Sequence, residues 1–171
     1  MKKDQKTKEI SKHIRPTWDE YFTKISEVVG ERATCDRGRS GCVIVKDKRI
    51  LVTGYVGAPA GVAHCDESGH EMHTVIHEDN TQSKHCIRTT HAEQNAIANA
   101  ARGGVSVNGG TLYCHMTPCY TCAKILINSG IVRVVAAKDY HASKRSKEVF
   151  KEANIKLNIL NPEVENYTNI K

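Results

Sequence analysis

At 171 residues and 39% hydrophobic content, the chain is long enough for one domain to bury its own core without disulfide staples. Its formal charge of +6, from 25 basic and 19 acidic residues, is scattered without a run or stripe, so it reads as an ordinary solvated surface that suits a phosphorylated ligand about as well as nucleic acid. No charged-then-apolar leader opens the sequence and nothing approaches the roughly 18 to 20 apolar residues that span a bilayer, so a soluble, cytoplasmic protein without membrane partners is expected.

In chain order, residues 1–14 alternate lysines with polar groups and read as a flexible tail, which leaves 15–171 as a single domain. Thr17 followed three residues later by Glu20 matches a capping box. Trp18, Tyr21, Phe22, Ile25, Val28 and Val29 then repeat at helical spacing and are expected to share a buried face. Two β-rich runs, Cys42 to Val45 and Ile50 to Tyr55, flank the polar Lys46-Asp47-Lys48-Arg49 and read as a hairpin. A glycine-rich loop, Gly54 to Gly61, leaves the second strand.

From Ala63 to Thr90 the sequence is polar and rich in histidine (His64, His70, His73, His77, His85), with no clear period. It is too long for an ordinary connector, so something other than an apolar core should hold it. An alanine-rich helix follows from about His91 to Arg102, stopped by Gly103-Gly104, then a strand from Thr111 to His115. Pro118 can open a helix running to Asn128; a strand Ile131 to Ala137, a helix Ser143 to Ala153 and a short strand Ile155 to Ile159 complete the chain. This alternation predicts an α/β fold with three α/β/α layers, a central mixed five-stranded sheet carrying helices on both faces.

Seven cysteines, two of them as Cys119-x-x-Cys122, argue for metal or redox chemistry over disulfides in a reducing cytosol. Cys119 and Cys122 stand three apart at a predicted helix start, where the helix dipole favours thiolate, the form that binds zinc. His91 and Glu93 open the preceding helix. Two thiolates and one imidazole supply three ligands, as a catalytic zinc requires if water is to take the fourth position. Such a zinc lowers the pKa of water from about 15.7 to near 7, and Glu93 would move the protons.

His91-Ala92-Glu93 with Pro118-Cys119-Tyr120-Thr121-Cys122 resembles the signature of the zinc-dependent cytidine and deoxycytidylate deaminase superfamily. The resemblance is closest to the deoxycytidylate deaminases, through Gly41-Cys42-Val43-Ile44-Val45, Gly54-Tyr55 and the stretch from His85 to Ala96. It runs from about residue 17 to 160 and implies a cytidine-deaminase-like fold. The implied reaction converts dCMP and water to dUMP and ammonia, supplying thymidylate synthesis, with His91, Cys119 and Cys122 on zinc and Glu93 as proton shuttle. A homo-oligomer, hexameric or dimeric, is implied as well.

By the same resemblance Arg39 could meet the 5′-phosphate, Tyr140, in the loop after its strand, could close over substrate, and Arg102 could contribute from a helix end. Each equally fits a surface ion pair or a packed ring. Several relatives hold a second, structural zinc, for which Cys35, Cys65, Cys86 and His70 are the expected ligands, with His85 the alternative to His70. Cys42 and Cys114 lie in predicted strands and read as small core hydrophobes.

Many relatives carry Gly-Tyr-Asn-Gly where this chain has Gly54-Tyr55-Val56-Gly57, a motif tied to activation by dCTP and inhibition by dTTP. Valine lacks the amide's hydrogen bonds, so such effectors are expected to bind here through the backbone. Two rival readings share the motifs: a nucleic-acid deaminase of the tRNA adenosine type, and a zinc-stabilised binding module with a vestigial site. The absence of a basic stripe argues against the first, so no nucleic-acid partner is expected; the retained Glu93 argues against the second.

Overall fold

The computed structural model describes residues 13–76 and 82–165. Of the expected tail, residues 1–12 lie outside the described residues, as does His77; His13 and Ile14 are exposed. The elements in order are α1 (Trp18–Gly30), β1 (Gly41–Lys46), β2 (Arg49–Tyr55), α2 (Cys65–Ser68), β3 (Met72–Ile76), β4 (Gln82–Cys86) and α3 (Ala92–Gly103). They continue with β5 (Thr111–Met116), α4 (Tyr120–Asn128), β6 (Arg133–Tyr140), α5 (Lys144–Glu152) and β7 (Lys156–Glu165). Among the described residues no helix is long and apolar enough to cross a membrane.

The predicted five-stranded sheet forms in the order β2-β1-β5-β6-β7. It is mixed: β1 runs antiparallel to β2 and β5, whereas β5, β6 and β7 are parallel. The β1–β2 hairpin turns through Asp47 and Lys48 at φ 51° and 61°, the left-handed pair that matches strand twist in a two-residue turn. Strand alternation sorts the core onto two faces. Cys42, Ile44, Leu112, Cys114, Val134 and Ala136 face α3, α4 and α5, while Val43, Val45, Tyr113 and Val135 face α1. Cys42 and Cys114 are therefore core residues, as expected, and pair across β1 and β5.

The capping box at Thr17 forms as predicted: its hydroxyl accepts from the Glu20 amide at 3.2 Å, and the Glu20 carboxylate accepts from the Thr17 amide at 2.7 Å. The buried stripe of α1, however, is not the predicted one. Only Phe22 of the aromatic run is fully buried; Trp18 is 50% exposed, Tyr21 44% and Val28 61%. The docking face instead runs through Phe22, Ser26 and Gly30. Small residues let the helix touch backbone, and a Cβ on Gly41 would lie 2.4 Å from the Ser26 carbonyl oxygen. The face is thus rotated from the one that hydrophobicity alone selects.

One ion pair ties α1 to the sheet. Asp19 accepts both Arg133 amino groups, at 2.9 and 2.6 Å, and the Tyr113 hydroxyl at 3.0 Å. The Arg133 guanidinium, with Tyr113, holds the Asp19 carboxyl below the usual carboxylate range. A depressed carboxylate adds stability above its unfolded pKa of about 3.9, and that stability is lost as pH falls through the lower folded value. Asp19→Ala strands a guanidinium and a phenol, at a cost of about 1–3 kcal/mol at pH 7 by urea unfolding. The gap from wild type is expected to narrow as pH falls below about 4, where the unfolded chain's carboxylate takes a proton while the folded one is still ionised.

Alpha-3 is seated by a glycine and two amides. A Cβ on Gly54 would stand 2.1 Å from the Ala92 oxygen, so the helix rests directly on the β2 backbone. Asn95 and Asn99 donate to the Tyr55 and Thr53 carbonyls at 2.8 and 3.3 Å, satisfying the outer edge of the sheet. The start of α3, where the predicted site lies, is thereby fixed against the sheet.

Candidate active site

Two helix starts meet at the site, and in each the residue just before the helix is a ligand candidate. His91 is the N-cap of α3 at φ −68°, ψ 156°, and Cys119 is the N-cap of α4 at φ −65°, ψ 165°. An extended N-cap breaks helical spacing. This explains why His91 and Glu93, two apart, both reach one cavity, although on an ideal helix they would diverge.

His91 Nδ1 lies 3.5 Å from Cys119 Sγ and 3.4 Å from Cys122 Sγ, and the three ligand atoms all fall within 4.8 Å of one another. Hydrogen bonding from Cys122 and the nearby His91 pull the Cys119 thiol down to about 4. Cys119 in turn lifts His91 to about 9, and the Cys119 sulfur and burial push Cys122 up. A thiolate, a second thiol and an imidazole held this close form a soft donor set of the kind zinc takes. Glu93, 9% exposed, stands beside them, and burial raises its carboxyl above the usual range.

His91, Cys119 and Glu93 line a pocket whose wall also includes Arg37, Val56, Lys84, Thr89, His115 and Tyr140. Tyr140 thus reaches the pocket as expected, but from the end of β6 and not from a loop. Arg39 and Arg102 are absent from the wall. The Arg39 guanidinium turns back to the Ala33 carbonyl at 2.9 Å and to Asp66 at 3.7 Å. Arg102 sits in the last turn of α3, a helix length of roughly 16 Å away from His91 at 1.5 Å per residue. Sequence reasoning missed two basic residues of the wall, Lys84 and the half-buried Arg37, one of whose amino groups donates to the Lys84 carbonyl at 3.1 Å. The signal for Arg37 was its place beside Cys35 in a loop that a metal would anchor.

A second cluster lies nearby. Cys35, Cys65 and His70 bring their ligand atoms within 4.8 Å of one another. Cys35 Sγ is 3.7 Å from His70 Nδ1, and Cys65 Sγ is 3.6 Å from Cys86 Sγ. The other ring nitrogen of His70 meets Asp36 at 3.0 Å, the carboxylate partner that commonly orients a ligating imidazole. His85, the alternative, instead points its Nε2 at the Ser83 hydroxyl, 2.7 Å away. The cluster joins the Cys35 loop, α2 and the β3–β4 hairpin, the part of the chain that sequence periodicity left without structure.

At Val56 and Gly57, where effectors were expected to meet the backbone, the backbone groups already have hydrogen-bond partners. The Val56 amide donates to Ser40 and its carbonyl accepts from Thr34, while Gly57 exchanges both its backbone groups with Thr90. The Val56 side chain packs against the main core beside the pocket.

The family model for the cytidine and deoxycytidylate deaminase zinc-binding region matches residues 16–138. The deoxycytidylate deaminase of Saccharomyces cerevisiae is 36% identical over 89% of this chain, which spans about half, 47%, of that protein. The deoxycytidylate deaminase of Mycobacterium phage D29 is 39% identical over 73% of this chain and 98% of its own length. In three dimensions, the dCMP deaminase of cyanophage S-TIM5 in complex with dCMP and dUMP matches with TM-score 0.67 at 25% identity, covering 90% of this chain and 100% of that one. With its paired helix starts and three convergent ligand atoms, the chain belongs to the cytidine and deoxycytidylate deaminase family.

Proposed function

We propose that the chain hydrolyses dCMP to dUMP and ammonia. The observation that carries this is the convergence of His91, Cys119 and Cys122, of which His91 and Cys119 line a pocket with the buried Glu93. The three residues would hold one zinc, which supplies Lewis acidity able to bring the pKa of water from about 15.7 to near 7. Glu93 is the group that moves protons: it takes one from the attacking water and delivers it to ring nitrogen N3, then takes the second from the hydroxyl formed on C4 and delivers it to the departing amine. Burial favours its protonated form, which suits a carboxyl that must donate as well as accept.

Arg37 and Lys84 form a cationic side of the pocket and are the groups we assign to the 5′-phosphate, in place of Arg39 and Arg102. Tyr140, buried in the wall, would pack over the base or sugar. Cys35, Cys65, Cys86 and His70 would hold a second, structural zinc. A homo-oligomer, hexameric or dimeric, belongs to the same reading and is checked by sedimentation velocity.

Ammonia release should be measured on cytidine, dCMP, dCTP and adenosine in tRNA. dCMP is expected to be turned over far better than the others, and preference for the tRNA would replace this reading with its rival. Arg37→Ala is expected to raise KM for dCMP by about 10- to 100-fold with a smaller effect on cytidine, since roughly 1.5–3 kcal/mol rides on a charge-assisted phosphate contact. Because Val56 carries no side-chain amide and its backbone amide and carbonyl are engaged, rate curves with and without dCTP or dTTP are expected to overlap.

A further inference from the structure

The chemistry proposed above leaves Asp139 unused, yet its carboxylate gathers an unusual set of donors. Thr117 Oγ1, the Tyr140 amide and Ser143 Oγ reach Oδ1 at 3.0, 2.9 and 2.8 Å, and Lys147 Nζ reaches Oδ2 at 2.5 Å. The side chain is only 14% exposed. These donors come from three separate places. Thr117 directly precedes Pro118 and the ligand Cys119; Tyr140 is in the pocket wall; Ser143 and Lys147 belong to the start of α5.

Two further observations show that the local structure is arranged around this carboxylate. The pairing of β6 with β7 shifts register between Lys138 and Asp139, an irregularity of the type that re-aims the following side chain, here Tyr140. The Lys138 carbonyl just before the shift accepts the Thr117 amide at 3.1 Å, so the two chain segments are joined on both sides of it. Ser143 is the N-cap of α5, but its hydroxyl makes no cap bond and donates to Asp139 instead. A serine cap normally stabilises a helix by about 1 kcal/mol, which α5 forgoes in favour of the carboxylate.

We propose that Asp139 is a positioning residue for the deamination: it fixes Tyr140 against the pocket and holds Thr117 so that Cys119 meets the pocket at the right depth. It touches neither substrate nor metal and acts through Tyr140 and the Thr117-Pro118-Cys119 turn. The inference rests on the dCMP reading for its kinetic consequence, while its structural half stands alone.

Asp139→Ala is expected to raise KM for dCMP by about 10-fold or more, to change kcat by less than about threefold, and to leave the zinc content equal to wild type. Because Asp139 works through Tyr140, the pair should be coupled: Asp139→Ala with Tyr140→Ala should be no worse in KM than the worse single variant. Additive effects, or an unchanged KM in Asp139→Ala, would overturn the proposal. If Asp139→Ala does not fold, Thr117→Val and Ser143→Ala each remove one donor and are expected to raise KM by about two- to fivefold; KM unchanged in both would overturn it equally. Should the wild-type chain release no ammonia from dCMP, the substrate reading fails on that control alone. The Asp139 clamp is then read from hydrogen exchange at the Tyr140 amide, which should quicken at least about 10-fold in Asp139→Ala or Asp139→Asn, and equal exchange would refute it.

Discussion

Glu93→Gln is expected to keep its zinc and lose its reaction. Glutamine matches glutamate in shape but can neither take a proton from water nor hand one to N3 or the leaving amine. General acid and base catalysis contributes about 100- to 10,000-fold, and here one group serves both proton relays, so kcat should fall by about 1,000- to 10,000-fold, roughly 4–5.5 kcal/mol of barrier. The proposed zinc donors, His91, Cys119 and Cys122, are untouched, so metal per chain measured by mass spectrometry should equal wild type. Burial raises the Glu93 carboxyl, which means that its charge is held at a cost in the folded state. The neutral amide removes that cost, so thermal unfolding should occur at the same temperature or higher, the usual trade between a working site and stability. Turnover equal to wild type would remove Glu93 from the chemistry, and loss of zinc would show that the carboxylate holds the metal and not the proton.

The candidate cluster was legible in the sequence because its parts are local. His91 with Glu93, and Cys119 with Cys122, are separated by less than one helical turn, so a short spacing is enough to place them, and the helix starts are marked by Pro118 and by the alanine run. The sheet was legible for a similar reason: apolar strands and their turns alternate with helices at regular intervals. Beyond local spacing the reading weakened. Arg37 and Arg39 lie in a loop without period, and which guanidinium faces the pocket depends on the path that the backbone takes between Cys35 and Ser40. The stripe of α1 was displaced because contact through Ser26 and Gly30 is invisible to a hydrophobicity count. Tyr140 was assigned to a loop since Lys138 and Asp139 look polar, whereas β6 continues through a register shift against β7.

Cys65→Ser is expected to cost one zinc per chain and to loosen the β3–β4 hairpin while the rest of the fold stays intact. The hairpin has almost no apolar burial of its own: β3 is exposed except at Met72, and β4 is at best half-buried. Two strands of this kind are marginal in water unless something ties them down. Cys86 at the end of β4, His70 just before β3, Cys35 from its loop and Cys65 at the start of α2 are positioned to be that tie. Structural zinc contributes about 10–16 kcal/mol in small zinc-dependent peptides, so losing even a third of that removes ~3–5 kcal/mol from a segment with little else to hold it. The free energy is lost locally, because the main sheet has its own core on both faces. Limited proteolysis should therefore cut within residues 72–76 or 82–86 in the variant and not in wild type. The same change should reach the kinetics, because Lys84, His85, Cys86 and Thr89 form one side of the pocket: KM for dCMP should rise by about 10-fold, while Glu93 and the three catalytic ligands keep kcat within a few-fold. A variant that retains its full zinc content and its protease resistance would show that the cysteines and His70 are neighbours without a metal, and the hairpin would then need another explanation for its order.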